Sequence, residues 1–311
     1  MKFGVVLVTY NRLEKLKLAL DCYDKQTYSP KYLLVVNNNS NDGTRKYLEK
    51  WKKLPSHYEK IVLNLPRNTG GSGGFYEGLK KSLYLDADWV WVADDDAFPM
   101  NNDFEIANKY LSSTNIDASQ ISAICGMILN RGKIDTTHRR RIMNIISFPM
   151  QFIINRSEYK KNCFNLQLFS YVGTFINKDK MKQIGITKKD YFIYNDDSEH
   201  SYRLSKIGKI ICLPDMVINH DGPQVITKDG VNWKLYYSIR NVLDMIKSNW
   251  PYRFYFTYRL YVRIKYFLII TFLYKNKIEG YKLMNKAITD ADNNKLGLDH
   301  LYRPGWKPNK K

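Results

Sequence analysis

The chain has 311 residues, enough for one large domain or two modest ones with a sizeable core, which excludes a fragment-sized fold. Its 49 lysines and arginines against 30 acids give a formal net charge of +19, so an anionic partner is expected: phosphorylated substrate, acidic lipid or nucleic acid. Four cysteines, Cys22, Cys125, Cys163 and Cys212, lack CxxC or other metal-ligand spacing and read as reduced thiols of a cytoplasmic protein.

Phe3 to Thr9 is a nearly continuous apolar run, as a parallel strand covered on both faces should be, and it ends in the polar Thr9-Tyr10-Asn11-Arg12. Leu13, Leu16, Ala19, Leu20 and Tyr23 follow at helical spacing, and Tyr32 to Val36 returns as a second strand, completing a βαβ unit. The loop Asn37-Asn38-Asn39-Ser40-Asn41-Asp42-Gly43-Thr44 is rich in turn formers, and a helix from about Thr44 to Lys53 comes next. Ile61 to Leu65 is a third strand. It leads into Arg67-Asn68-Thr69-Gly70-Gly71-Ser72-Gly73-Gly74, read as a glycine loop where backbone can approach a ligand, with Arg67 offering a fork for phosphate. This loop is neither a Walker loop nor GxGxxG.

Trp89-Val90-Trp91-Val92-Ala93 is a buried strand that stops in Asp94-Asp95-Asp96. Adjacent carboxylates repel, so a cation is expected there. Alternation along an extended segment lets Asp94 and Asp96 face one ion, and oxygen ligands suit Mg²⁺ or Mn²⁺. Ile121 to Leu129 is a further strand, 131 to 161 is basic and irregular, and Tyr171 to Ile176 is strand-like before a short helix at Lys178 to Ile184. Tyr191-Phe192-Ile193-Tyr194 is read as another strand-like run, ending in Asn195-Asp196-Asp197-Ser198-Glu199, with a helix from Asp197 to Ile207 in which Glu199 and Arg203 pair. Ile210 to Leu213 and Met216 to Ile218 read as two short strands, the second ending in Asn219-His220-Asp221-Gly222.

From about residue 226 the character changes to helices dense in aromatic and basic residues, Trp233 to Lys247 and Tyr252 to Tyr274. Met1 to Val8 is too quickly polar for a signal peptide, and the longest apolar run, Tyr266 to Tyr274, falls short of the roughly 20 residues that cross a bilayer. A soluble or peripheral protein is expected. Arg259, Arg263 and Lys265 within the second helix suggest one lying on an anionic membrane surface, at the inner face of the cell membrane. The tail from Arg303 to Lys311 is expected to be poorly ordered.

Acidic or imidazole groups thus end three strand-like runs, at Asp94/Asp96, Asp196/Asp197 and His220, preceded by a Thr-Tyr-Asn-Arg strand end and a glycine loop. In this order they resemble the inverting family 2 glycosyltransferases of the GT-A fold, over roughly residues 3 to 222. Asn68-Thr69-Gly70-Gly71-Ser72-Gly73-Gly74-Phe75 followed by Trp91-Val92-Ala93-Asp94-Asp95-Asp96-Ala97 looks most like the galactofuranosyltransferase branch. The resemblance implies an α/β fold with a mixed, mainly parallel sheet flanked by helices. It implies a catalytic domain over 1–225, divided into a nucleotide-sugar half (1–98) and an acceptor half (99–225), with a C-terminal helical region at 226–311. It implies metal ligation by Asp94, Asp96 and His220, Asp197 as catalytic base, and UDP-sugar contacts from Thr9, Asn11, Arg12, Asn38, Arg67, Asn68, Gly70 and Asp95. Asn37 and Asn38 replace the usual acid at the nucleobase, His200 takes a normally apolar position, and Asn195 one that is often aromatic.

The expected activity is metal-dependent transfer of a sugar, galactofuranose first, from a UDP donor to a glycan or lipid-linked saccharide. A rhamnosyltransferase using a dTDP donor is the runner-up, since the nucleotide motifs overlap. A nucleic-acid-binding protein is the competing class. It lacks a recognition motif here, and acids at strand ends would repel a phosphate backbone.

Overall fold

The structure, a computed structural model, describes residues 1–145, 148–222 and 230–308. β1 (Phe3–Thr9), β2 (Tyr32–Asn37), β3 (Glu59–Asn64) and β4 (Trp89–Asp94) lie parallel in the order β3-β2-β1-β4, connected by α1 (Leu13–Asp24), α2 (Thr44–Trp51) and α3 (Gly70–Ser82). Phe3, Val5 and Leu7 of β1 join a core layer with α1, while Val6 and Val8 join the opposite layer with α3. Cover on both faces explains why this strand is continuously apolar instead of alternating.

Beyond β4 the sheet becomes mixed. In chain order come β5 (Ala97–Pro99), α4 (Asp103–Leu111), β6 (Ile121–Asn130), β7 (Lys133–Ile134), β8 (Arg139–Ile145), β9 (Phe148–Ile153), β10 (Phe164–Leu166), β11 (Leu168–Phe169) and β12 (Val172–Asn177). They are followed by α5 (Lys178–Ile184), α6 (Asp196–Ser205) and β13 (Lys209–His220). β12 lies antiparallel between β4 and β6, and β13 runs parallel to β6, so the ends of β4 and β13 open on the same side. β8 pairs with β9 and β11 in a small separate sheet.

Several expectations are corrected. Gly70, Gly71, Gly73 and Gly74 do not form an open loop: they are the first turns of α3. A Cβ on Gly74 would lie 2.7 Å from the Val8 side chain and one on Gly78 2.5 Å from Val6, so glycine here lets a helix sit directly on β1. The Tyr191 run is not a strand. Its neighbours Lys189–Tyr191 form a short 3₁₀ turn, and Phe192, Tyr194 and Asn195 all have positive φ. The two short strands after Gly208 are one bulged strand, β13, and the irregular basic stretch contains the β8–β9 hairpin.

The C-terminal region is α7 (Trp233–Asn249), α8 (Tyr252–Leu273) and a helix absent from the sequence reading, α9 (Lys277–Asp292). Tyr236, Tyr237, Leu243, Tyr258, Leu283 and Ile288 build a separate aromatic core there, and Phe192, from the turn before α6, enters it. The proposed boundary at 225/226 falls within 223–229, outside the described residues, as do the last three residues of the tail. Among the described residues no helix is long and apolar enough to cross a membrane.

Candidate active site

β4 carries Asp94 to the sheet edge, where Asp95 and Asp96 turn back under the end of β1. Thr9 Oγ1 donates to Asp95 Oδ2 at 2.7 Å, and Arg12 Nη1 reaches Asp95 Oδ1 at 3.1 Å and Asp96 Oδ2 at 2.6 Å. The cation that the acid cluster demands is therefore partly supplied from within the chain, by Arg12. No hydrogen bond reaches the Asp94 carboxyl among the described residues. Burial, reinforced by Asp96 and Asp95, holds it well above the ordinary carboxylate range. Burial also raises Asp95 to about 6, against the pull of Thr9 and Arg12. At Asp96 burial opposes ionisation, but His220 and Arg12 outweigh it and leave its carboxyl below the ordinary value.

His220, at the end of β13, presents Nε2 to Asp96 Oδ1 at 3.5 Å, while its Nδ1 is buried without a partner. Its ring stands edge-to-face against His138, with centroids 5.0 Å apart, and lies across Gly222, where a Cβ would fall 2.3 Å from Cε1. A carboxyl without a hydrogen bond, an acid oxygen facing an imidazole and an orphaned ring nitrogen form a donor set that fits Mn²⁺ or Mg²⁺. Among the described residues no three such groups are already drawn together tightly enough to hold an ion.

The residues expected around the nucleotide divide into two kinds. Asn11, at φ 52°, accepts the Asn41 N–H on Oδ1 at 2.8 Å and gives its own N–H to Ser40 Oγ at 3.0 Å, tying the loops after β1 and β2 together. The Asn38 amide is used as a strut: Nδ2 donates to Gly70 O at 2.8 Å and Asn68 Oδ1 at 3.1 Å, and Oδ1 accepts from Thr69 N–H at 2.9 Å and Thr69 Oγ1 at 3.0 Å. Asn68 Oδ1 also accepts the Gly70 N–H at 2.8 Å. Gly70, at φ 73°, has no room for a side chain, because a Cβ would sit 1.9 Å from Phe192 O. Arg67, in contrast, is exposed and has no ion pair or hydrogen bond among the described residues.

Asp196 and Asp197 open α6. The helix cap is Asn195, in the left-handed region, so Asp197 is not the capping residue. Asp197 Oδ1 accepts from Ser198 N–H at 2.6 Å and Ser198 Oγ at 3.0 Å. Burial, with repulsion from Asp197, pushes Asp196 up to about 8. Asp196 lies near enough to Asp94 to raise its pKa further, which puts the start of α6 in the neighbourhood of the end of β4. The expected Glu199–Arg203 pair is formed, at 2.8 Å and 2.9 Å.

What holds this turn in place comes from the C-terminal helices, and no local motif announces it. Asn241 Nδ2 donates to the carbonyls of Tyr191, Ile193 and Tyr194, each at 2.9 Å, and Arg240 reaches Tyr191 O at 3.2 Å and Gly297 O at 2.7 Å. Both side chains are buried. Asn241→Leu, nearly the same size, strips three carbonyls of a donor and should cost about 2–4 kcal/mol in chemical denaturation, with turnover falling more than nucleotide affinity. Unchanged stability would mean that the turn holds itself. Lys234, half-buried in the first turn of α7, has its pKa lowered by burial and by the nearby Arg12, and was missed in the sequence for the same reason.

The sequence model of glycosyl transferase family 2 matches residues 4–185, more than half of the chain. The chain belongs to glycosyl transferase family 2. Asp197 and His220 lie beyond the matched segment. Galactofuranosyltransferase GlfT1 of Mycolicibacterium smegmatis is 29% identical over 216 residues, 65% of this chain and 65% of that protein, so the match spans just under two thirds of its length. The poly-beta-1,6-N-acetyl-D-glucosamine synthase of Staphylococcus epidermidis is 28% identical over 205 residues, 64% of this chain and 44% of that one. Among solved structures, GalNAc-T7 with UDP, GalNAc and Mn²⁺ superposes with a TM-score of 0.63 at 15% identity, covering 94% of this chain and 54% of that one. S. aureus TarS 1-349 in complex with UDP-GlcNAc gives 0.59 at 16% identity, covering 94% and 81%. At such identities the neighbours establish the architecture, and it is the GT-A fold.

Proposed function

We propose that this protein is a metal-dependent inverting glycosyltransferase that moves galactofuranose from a UDP donor to a hydroxyl of a glycan or lipid-linked saccharide. The observation that supports the reading is that, in a family 2 domain, the β4 acids have His220 against Asp96 and stand within electrostatic reach of Asp196 at the start of α6. The preference for galactofuranose rests on the likeness to GlfT1.

Asp94, Asp96 and His220 would hold the ion, which supplies Lewis-acid neutralisation of the departing diphosphate. The exposed Arg67 offers a bidentate fork to the same diphosphate. Thr9 and Arg12 fix the acid turn, and the Asn38–Asn68–Gly70 strut keeps α3 against β1 so that the nucleotide side is pre-shaped. Asp197 takes the proton of the acceptor hydroxyl as that oxygen attacks the anomeric carbon from the face opposite the diphosphate, which inverts the centre. A screen of nucleotide sugars for Mn²⁺-dependent hydrolysis tests this. UDP-galactofuranose should be consumed at least about tenfold faster than UDP-GlcNAc or dTDP-rhamnose, with activity abolished by chelator. Preference for dTDP-rhamnose would move the chain to the rhamnosyltransferases, and hydrolysis of none would overturn the reading.

A peripheral position on an anionic membrane also belongs to this proposal. The outward face of α8 shows Phe256, Leu260, Ile264, Phe267, Leu268 and Phe272, between 46% and 76% exposed, a continuous apolar stripe on a chain of strong positive charge. Arg259 does not belong to that surface, contrary to expectation: its guanidinium is spent on Asp292, at 2.7 Å. The protein should sediment with vesicles containing anionic lipid, less as salt rises, and Phe267→Ser with Phe272→Ser should release it. Indifference to anionic vesicles at low salt would remove the membrane from the proposal.

A further inference from the structure

A cavity of about 260 Å³ lies between the β8–β9 hairpin, the residue before α6, α7 and α8. Arg140, Gln151, Asn195, Tyr261, Lys265 and Tyr266 are among the groups that line it, and no acid is. Arg140 gives Nη1 to Gln151 Oε1 at 2.6 Å and Nη2 to Ser198 Oγ at 2.8 Å, and its Nε is buried with no partner. No carboxylate oxygen lies within 4.0 Å of Arg140 or Lys265 among the described residues. A guanidinium taken out of water without a counter-ion is costly, so the cavity is electrostatically incomplete as it stands. Burial lowers the pKa of Arg140, as expected of a cation lacking an adjacent anion, and Asp197 acts in the opposite direction. The Ser198 hydroxyl that Arg140 contacts also hydrogen-bonds Asp197, so the cavity adjoins the proposed base.

We propose that this cavity is an acceptor subsite that binds a phosphate ester next to the saccharide hydroxyl being glycosylated, with Arg140 and Lys265 as its ligands. The inference rests on the glycosyltransferase reading and adds the acceptor class. Cations from β8 and α8 approach from different sides, which suits the tetrahedrally spread oxygens of phosphate better than a planar carboxylate served by one fork. Tyrosine rings on the same wall give a sugar face a surface to lie on. The apolar stripe of α8 begins on the outer side of the helix that contributes Lys265, so a chain attached to the phosphate would continue along lipid-like surface.

Protein saturated with UDP and Mn²⁺, so that the donor side is filled, is titrated calorimetrically with n-octyl phosphate, inorganic phosphate and n-octyl glucoside. One octyl phosphate should bind per chain, and octyl glucoside should not compete. Lys265→Glu, at an exposed position tolerant of substitution, should weaken phosphate binding by at least about tenfold, as should Arg140→Gln, whereas the same charge change at Lys277 on α9 should not. Octyl phosphate binding tighter than inorganic phosphate assigns the phosphate to a lipid-linked acceptor. Equal binding assigns it to a soluble or polymeric phosphoester, and either result supports the subsite. Absence of saturable phosphate binding, or equal loss in Lys265→Glu and Lys277→Glu, overturns it. Donor hydrolysis in the wild type reports separately on the transferase reading, so the two failures are distinguishable.

Discussion

Asp197→Asn should lower transfer by about 10²–10⁴-fold while UDP and metal affinity stay at the wild-type level. The substitution keeps the shape and an acceptor oxygen, so the bonds from Ser198 N–H and Oγ survive, and the helix cap is unaffected because it is Asn195. What disappears is the negative charge that removes the acceptor proton. Asp196 cannot replace it, because that carboxyl is buried inside the protein. Single-turnover rates beside calorimetric UDP binding separate the outcomes. Equal loss of nucleotide affinity would move Asp197 from proton transfer to a structural or metal-binding role.

The donor half was legible because its signals are local. A strand covered on both faces must be apolar throughout, and β1, β2 and β4 carry that mark together with polar groups at their carboxyl ends. Glu199 and Arg203 pair across one helical turn and needed only spacing to be found. The glycines misled because composition reports backbone freedom without saying how it is used. Here it provides close helix-to-strand approach at Gly74 and Gly78 and a positive φ at Gly70, and the group proposed to meet phosphate nearby is the exposed Arg67. Tyr191 to Tyr194 is aromatic and apolar, as a strand would be, yet long-range bonds from Asn241 and Arg240, some 50 residues away, fold it into a turn with left-handed residues. Propensity cannot register such partners. Arg140 escaped for a related reason, since a basic residue in a basic chain stands out only when a cavity gives it a place.

Asp94→Ala and Asp96→Ala should each reduce turnover by at least about 10²–10³-fold and weaken Mn²⁺-dependent UDP binding, but they should differ in stability. Asp96 is engaged with Arg12 and His220, so its removal leaves Arg12 with Asp95 alone and His220 Nε2 without its acid, and thermal stability should fall. Asp94 has no such partner among the described residues, and burial and repulsion already disfavour its ionised form, so Asp94→Ala should unfold at the same temperature or a higher one. The sign follows from its raised pKa: in the metal-free protein Asp94 keeps a proton that the unfolded chain gives up above the ordinary carboxylate value, so ionising it as pH rises costs folded-state stability. An ion entering the site must displace that proton. Mn²⁺ affinity should therefore increase as pH rises above the ordinary carboxylate range in the wild type, and this part of the increase should vanish in Asp94→Ala. Calorimetry in buffers of different ionisation enthalpy counts the released protons directly. Full wild-type turnover in excess chelator would remove the metal from the mechanism and leave Arg12 and Arg67 as the proposed groups that meet the leaving diphosphate.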